Sequence, residues 1–194
     1  MRALSYGEIP AEELSLSEIE LSSRLGYRAS VNEEPVRRLT AELLSVCDVK
    51  YGAVLVDAEY GEGWVDFGFG KINSAALVKN LRKSARAYIF AVTLGIGVDR
   101  LIRKRSVLSP SEGFILDAIG SALAESAADV AERKIHTGKR ARPRFSPGYA
   151  DFSLSHQREI LALFDSEKNI GITLLDSGLM IPQKSITAVV GIAE

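Results

Sequence analysis

The chain has 194 residues, 46% of them hydrophobic, with 24 basic against 25 acidic side chains and a formal net charge of −1. This composition describes a folded protein with enough chain for one substantial core, and it excludes intrinsic disorder. The balanced charge argues against general electrostatic binding to nucleic acid, and no run of about 18 apolar residues exists to span a membrane.

In chain order, residues 1–13 read as an irregular or extended lead-in. They carry no apolar core, so no signal peptide is expected and a cytoplasmic protein is. "SLSEIELSSRLGY" (15–27) predicts a short helix closed by Gly26. "NEEPVRRLTAELLSVCDV" (32–49) predicts a second, with Asn32 as N-cap, Pro35 in the first turn, and Val36, Leu39, Leu43, Leu44 and Cys47 at helical spacing. The period then changes. "KYGAVLVDAEY" and "WVDFGFG" flank "GEG" and read as a hairpin. "NSAALVKNLRKS" (73–84) is a helix capped by Asn73 or Ser74, and "ARAYIFAVTLG" (85–95) is a central strand buried on both faces. After the short helix of "GVDRLIRKRS", residues 109–138 form the longest helix. Ser109 or Ser111 caps it, Gly138 stops it, and its apolar stripe runs from Ile115 to Ala131. Past an arginine-rich loop, "SLSHQREILALFDSEK" (153–168) reads as a helix, and "IGITLLDSG" and "KSITAVVGI" as two closing strands.

Helices and strands mix without regular βα alternation. The expected fold class is α+β, a mainly antiparallel twisted sheet with packed helices, in one compact domain spanning 1–194.

The chemistry-bearing residues are few. Cys47, the only cysteine, closes an amphipathic run and reads as a buried thiol, so no disulfide is available. His136 and His156 are the only neutral-pH bases, and no Cys/His cluster offers metal-ligand spacing. Gly95-Ile96-Gly97 follows a strand and precedes a helix, but Arg100 stands where a dinucleotide fingerprint needs a small residue. A tight strand-to-helix turn is the simpler reading.

The loop "RARPRFSPGYADF" (141–153) is more informative. Ser146-Pro147-Gly148-Tyr149 has the chemistry of a type II turn, with Pro pre-setting φ and Gly accepting a positive one. Arg144 just before it offers a planar fork suited to a carboxylate or phosphate. Tyr149 adds a ring face and a hydroxyl. Together they suit an amino-acid-like or nucleoside-like ligand. Arg140 and Arg142 read as a solvated basic surface. On the long helix, Ser121, Glu125, Asp129 and Glu132 fall on one polar stripe. Either a solvated face relieved by Arg133 or a nearby cation accounts for it.

From 144 to 192, "RFSPGYADFSLSHQREILALFDSEKNIGITLLDSGLMIPQKSITAVVGI" resembles the activation domain of vitamin B12-dependent methionine synthase, with its R-x-x-x-G-Y motif, helix and M-x-P-x-x-S segment. "ARAYIFAVTLGIGVDRLI" and "ILDAIGSALAESAADVAER" are similar to that family's A-V-T strand and long L-A-E helix, so the resemblance covers about 85–192 and leaves a helical and hairpin part, 1–84, ahead of it. "RLGYRA" looks like the opening of stand-alone versions of the domain.

The resemblance implies a domain that binds S-adenosylmethionine (AdoMet) and supports reductive remethylation of inactive cob(II)alamin carried by a partner synthase or related corrinoid protein. Electrons would come from a flavodoxin-type donor, and a stand-alone version would act in trans. By position, Arg144 would hold the AdoMet carboxylate, Ser146 would line the adenosine pocket, and Gly148 would let backbone approach the ligand. Tyr149 and Glu125 would face the corrin, Glu125 also lying near the ligand. Leu175 and Asp176 stand where the family has Thr and Glu.

In that role the chain needs no nucleophile or general base of its own, and would be a non-catalytic activation component. Two alternatives stay open: an independent small-molecule AdoMet-dependent methyltransferase, and a ligand-free docking module for a corrinoid protein.

Overall fold

Local sequence signals set most of the element ends in the computed structural model, which describes residues 3–136 and 141–193. Strand β1 (Ala3–Ile9) leads into helices α1 (Glu18–Leu25) and α2 (Glu34–Leu44) and then strand β2 (Val49–Asp57). Next come three short strands, β3 (Glu59–Gly61), β4 (Trp64–Asp66) and β5 (Lys71–Asn73), followed by helix α3 (Ala75–Leu81) and strand β6 (Arg86–Thr93). Helices α4 (Ile96–Leu108) and α5 (Pro110–His136) follow. The remainder consists of short pieces: α6 (Gln157–Ala162), α7 (Ser166–Asn169), β7 (Thr173–Leu174), β8 (Met180–Ile181) and a final long strand, β9 (Ser185–Gly191).

The main sheet is antiparallel throughout, in the order β1-β2-β6-β9. The apolar run at 86–93 takes a central place, as its lack of polar alternation predicts. Successive side chains of a strand point to opposite faces, and here both faces are covered. Phe90 and Val92 of β6, with Ala188 and Val190 of β9, pack under α1, α2 and α5. Ala87, Ile89 and Ala91, with Val54, Val56 and Val189, pack under α3, the small sheet and the short pieces around Phe152, Ile160 and Phe164. The fold is therefore α+β, with the main sheet as the middle layer.

Several ends follow the sequence. Ser17 caps α1, which Gly26 closes in the left-handed region (φ 76°). Ser74, not Asn73, caps α3, its hydroxyl accepting from the Leu77 N–H at 3.0 Å. Helix α2 starts from Glu33 rather than Asn32, with Pro35 in its first turn. Pro110 opens α5, and the Gly113 N–H donates to the Ser109 carbonyl at 2.9 Å. The expected stop at Gly138 lies outside the described residues, as do Lys139 and Arg140.

One expectation is sharpened and two are corrected. The extended reading of the lead-in holds for β1, an edge strand whose Leu4 and Tyr6 stay exposed. The long run at 49–57 pairs with β1 and β6, and the hairpin around Gly61-Glu62-Gly63 joins only β3 and β4. The helix expected over 153–168 is broken: a 3-10 turn at Leu154–His156 precedes α6, and Asp165 (φ 47°) interrupts the chain before α7. Ser166 then donates its hydroxyl to the Ile172 carbonyl at 2.8 Å, which folds the chain back instead of extending the helix.

Candidate functional site

The site lies at the free edge of β9. Residues 141–145 run alongside that edge. Phe145 and Val189 exchange backbone hydrogen bonds at 2.9 Å each way, and the Arg142 N–H donates to the Gly191 carbonyl at 2.8 Å. This pairing satisfies an edge that would otherwise be open. It also sorts the side chains: Phe145 joins the core on one side of the sheet, while Arg144 reaches the helix on the other.

The turn that follows is the one the sequence predicts. The Tyr149 N–H donates to the Ser146 carbonyl at 3.1 Å, and Gly148 has φ 92°, the left-handed geometry that a type II turn requires at that place. Phe152 locks the loop from beneath. Its carbonyl accepts from Gly148 at 2.7 Å, its N–H donates to Tyr149 at 2.9 Å, and its ring stacks on Phe145 with centroids 6.4 Å apart. Asp151 ties the loop to α3 by accepting from the Ser74 hydroxyl and from the Ala75 and Ala76 N–H groups at 2.9 and 3.2 Å. The Ser74 bond, with the two N–H groups, holds its carboxyl below the ordinary carboxylate range.

Arg144 does not enter as an empty fork. Its guanidinium donates to Glu125 at 2.9 Å, to Asp129, and to Glu132 at 3.5 Å. The acidic stripe of α5 is therefore relieved by Arg144, with Arg24 3.6 Å from Glu125, and not by Arg133. Burial works against the charged guanidinium, but the bonds to Asp129 and Glu125 outweigh it and raise its pKa. For Glu132 the balance goes the other way: burial pushes its carboxyl up despite Arg144. The carboxylate-holding role that the resemblance implies for Arg144 thus requires exchange of an ion pair already formed.

Beside this cluster opens a cavity of about 540 Å³. Glu125 and Asp117 line it from α5, and Arg144, Ser146, Pro147 and Tyr149 from the loop. Gln157, Met180 and the stretch 183–187 complete it. Four of the five predicted site residues thus meet at one cavity. Gly148 builds the turn without lining it. Gln157 and Thr187 are buried, joined by a 3.0 Å bond from the Thr187 hydroxyl to the Gln157 side-chain carbonyl. Tyr149, 54% exposed, stands at the rim with Leu154 and Leu179.

Sequence reasoning missed Asp117, Gln157 and Lys184. Lys184 is 8% exposed, and its ammonium donates to Asp117 Oδ1 and Ser121 Oγ, both at 2.8 Å. Its stem crosses α5 at Gly120, where a Cβ would come within 3.2 Å of Lys184 Cε. A lone lysine ahead of an apolar strand gives no periodic signal. Only the fold, by laying that strand beside α5, places it at the cavity.

The other candidates take structural roles. A Cβ at Gly95 would lie 2.9 Å from the Asp48 carbonyl oxygen, and one at Gly97 2.5 Å from that of Val46, so this turn is shaped by close packing and lies away from the cavity. Cys47 is partly buried, its thiol donating to the Leu43 carbonyl at 3.4 Å, and burial pushes it up to about 11. Such a thiol is a poor nucleophile. The buried His136 packs edge-on against Tyr88. Among the described residues, no group of His, Cys, Asp and Glu is arranged to hold a metal ion, and no helix is long and apolar enough to cross a membrane.

No family model matches the chain, and no curated protein does. A search of solved structures finds the crystal structure of the MetH reactivation domain bound to AdoHcy, with a TM-score of 0.74 over 97% of this chain and 78% of that one, at 15% identity. The chain shares the fold of the MetH reactivation domain. The MetH reactivation likeness takes in nearly the whole chain, so it reaches well beyond residues 85–192, where the sequence motifs lie.

Proposed function

We propose that this chain binds AdoMet in the cavity at the β9 edge, and that it acts in trans as the reactivation component of a B12-dependent methionine synthase or a related corrinoid protein. The observation that carries the reading is the convergence of Glu125, from α5, with Arg144, Ser146 and Tyr149, from the loop, on one cavity. Its volume falls in the range of small-molecule sites, about 300–1,000 Å³, and the solved reactivation domain with this fold was crystallised with AdoHcy.

Each element has a task that its chemistry supports. The Ser146–Tyr149 turn presents a backbone edge fixed by Pro147 and Gly148, against which an adenosine can lie at little entropic cost. Glu125, held in place by Arg144, presents negative charge to a sulfonium and an ammonium. Tyr149 and the exposed Leu154 and Leu179 form an apolar rim for a docked corrinoid domain. Cobalamin, carried by that partner, would supply the methyl acceptor. This chain's residues bind and orient the methyl donor, and catalysis comes from placement. A flavodoxin-type protein would supply the electron.

Two measurements test this. Calorimetric titration of AdoMet should show one binding site. Adding the chain, AdoMet and a flavodoxin reductant to an inactivated B12-dependent methionine synthase lacking its own reactivation domain should restore turnover. Binding without reactivation would leave an AdoMet-binding protein with another partner, and absence of binding with and without the synthase would remove the reading.

A further inference from the structure

Helix α4 packs against α5 by one face and leaves the opposite face uncovered. On the packed side Val98 is fully buried, Ser106 lies against Gly113, and Ile102 reaches Gly120. On the other side Ile96, Arg100, Arg103 and Val107 recur at i, i+4, i+7 and i+11, one face of a helix, with Lys104 and Leu108 beside them. All six are exposed, Val107 at 80% and Leu108 at 67%.

The charge on this face has one sign. Among the described residues Arg100, Arg103 and Lys104 form no ion pair, whereas Arg105, on the packed side, takes Glu42 and Glu112 at 2.7 and 3.1 Å. Asp99 stands four residues before Arg103 but accepts from the Gln183 N–H at 2.8 Å instead. Like charges at i, i+4, as at Arg100 and Lys104, repel mildly, and nothing in the chain's own fold relieves them. A chain of net charge −1 that gathers unpaired cations and exposed apolar side chains on one strip suits an acidic protein surface of matching size. A second copy meeting through the same face would set like charges together. An anionic bilayer draws on positive charge over a wide area, which 24 basic against 25 acidic side chains do not supply.

Helix α4 is also continuous with the cavity. Gln183, held by Asp99, lines it, as does Lys184, which shares the space above Gly120 with Ile102. A protein that lays its cofactor over the cavity therefore comes within reach of α4, whereas an electron donor needs only to reach that cofactor. We propose that the outer face of α4 is a second docking surface for the corrinoid-carrying partner, which meets Arg100, Arg103 and Lys104 with carboxylates and covers Val107 and Leu108 with apolar side chains. This rests on the reading of the chain as a reactivation component.

The test measures association with an inactivated B12-dependent methionine synthase lacking its own reactivation domain, with AdoMet present and no electron donor. Four proteins are compared: the unaltered chain, Arg100→Gln/Arg103→Gln/Lys104→Gln, Val107→Ser/Leu108→Ser, and Lys79→Gln/Arg82→Gln/Lys83→Gln. The last removes the same charge from exposed residues at the end of α3, under the other face of the sheet. The α4 charge variant should bind the synthase about tenfold more weakly at low salt, the product of three exposed pairs at about twofold each. The gap should shrink to about twofold or less near 1 M salt, where the screening length is about 3 Å. The apolar variant should lose about fivefold at either salt concentration. The α3 variant should bind as the unaltered chain does, and all four should hold AdoMet equally, which shows that the cavity is intact. Unchanged synthase binding by the α4 charge variant, or an equal loss in the α3 variant, overturns the assignment. So does a loss that appears only when an electron donor is added, which gives the face to the donor. If the charge variant keeps the synthase but loses binding to phosphatidylglycerol vesicles, the face belongs to a membrane and the proposal falls. If the unaltered chain binds AdoMet but no synthase, the reactivation reading falls and this docking surface with it.

Discussion

Helix α5 and the segment from 141 to 181 wall the same cavity by opposite means. The helix is 27 residues long and supplies Asp117 and Glu125 from one rigid rod. The facing wall is assembled from a turn, a 3-10 piece, two short helices and two two-residue strands, held by bonds to β9, α3 and Phe152. A rod gives fixed spacing between charges. An assembled wall gives a shape that depends on many separate contacts. The difference predicts that damage to the helix core lowers stability first, whereas damage to the assembled wall lowers stability and ligand affinity together.

The largest effects come from the two anchors. Phe152→Ala should cost about 3–5 kcal/mol and Leu123→Ala on α5 about 2–5 kcal/mol in chemical denaturation, since both side chains are essentially fully buried. Phe152→Ala should also weaken AdoMet binding, because the turn loses its support, and Leu123→Ala should leave affinity in the folded fraction near its original value. Equal affinity losses would erase the distinction between the walls. Arg144→Ala cuts the link between them and leaves Asp129 and Glu132 unrelieved, with Arg24 the remaining cation near Glu125. We expect a loss of about 1–3 kcal/mol at neutral pH, below that of a fully buried pair because Asp129 is largely exposed. Moderate salt should recover part of it.

Smaller effects separate the walls by pH. Asp151 has a depressed folded pKa, so its contribution is present above its ordinary value of 3.8 and is lost as pH falls through the folded value. Asp151→Asn should therefore lower the melting temperature at pH 7, and the gap to the unaltered chain should close on acidification. Glu132 has a raised folded pKa, so the sign reverses. Its contribution is complete below the ordinary value of 4.5 and declines as pH rises through the folded value. Glu132→Gln should gain stability relative to the unaltered chain as pH rises above the ordinary value of 4.5. A melting series whose curves stay parallel below pH 4 for Asp151→Asn, or as pH rises above 4.5 for Glu132→Gln, would remove the corresponding assignment.

The helix side of the molecule could be read almost directly. Apolar spacing and the signals at Gly26 and Pro35 place α1 and α2, and the unbroken apolar run announces β6. The turn at 146–149 was also readable, because Pro and Gly fix its geometry by local sterics. What escaped is what only long-range pairing decides. Strand β1 keeps Leu4 and Tyr6 exposed, so their spacing marks no buried face. The break at Asp165 sits inside residues that suit a helix locally, and tertiary contacts override that propensity. At the site, Arg144's fork chemistry was evident, but its saturation by α5 was not, because the partners lie 12 to 19 residues away. Lys184 was invisible for the same reason, with Asp117 67 residues distant in sequence.

The crossing of Lys184 over Gly120 has an evolutionary corollary. A Cβ at position 120 would come within 3.2 Å of Lys184 Cε and 3.3 Å of Ile102 Cδ1, so a side chain there asks both to shift, and the lysine is pinned at its tip by Asp117 and Ser121. Positions 120 and 184 are therefore coupled: a side chain added at 120 crowds the lysine stem, and a shorter residue at 184 relieves it. Among homologues, alanine or larger at 120 should travel with a small residue at 184.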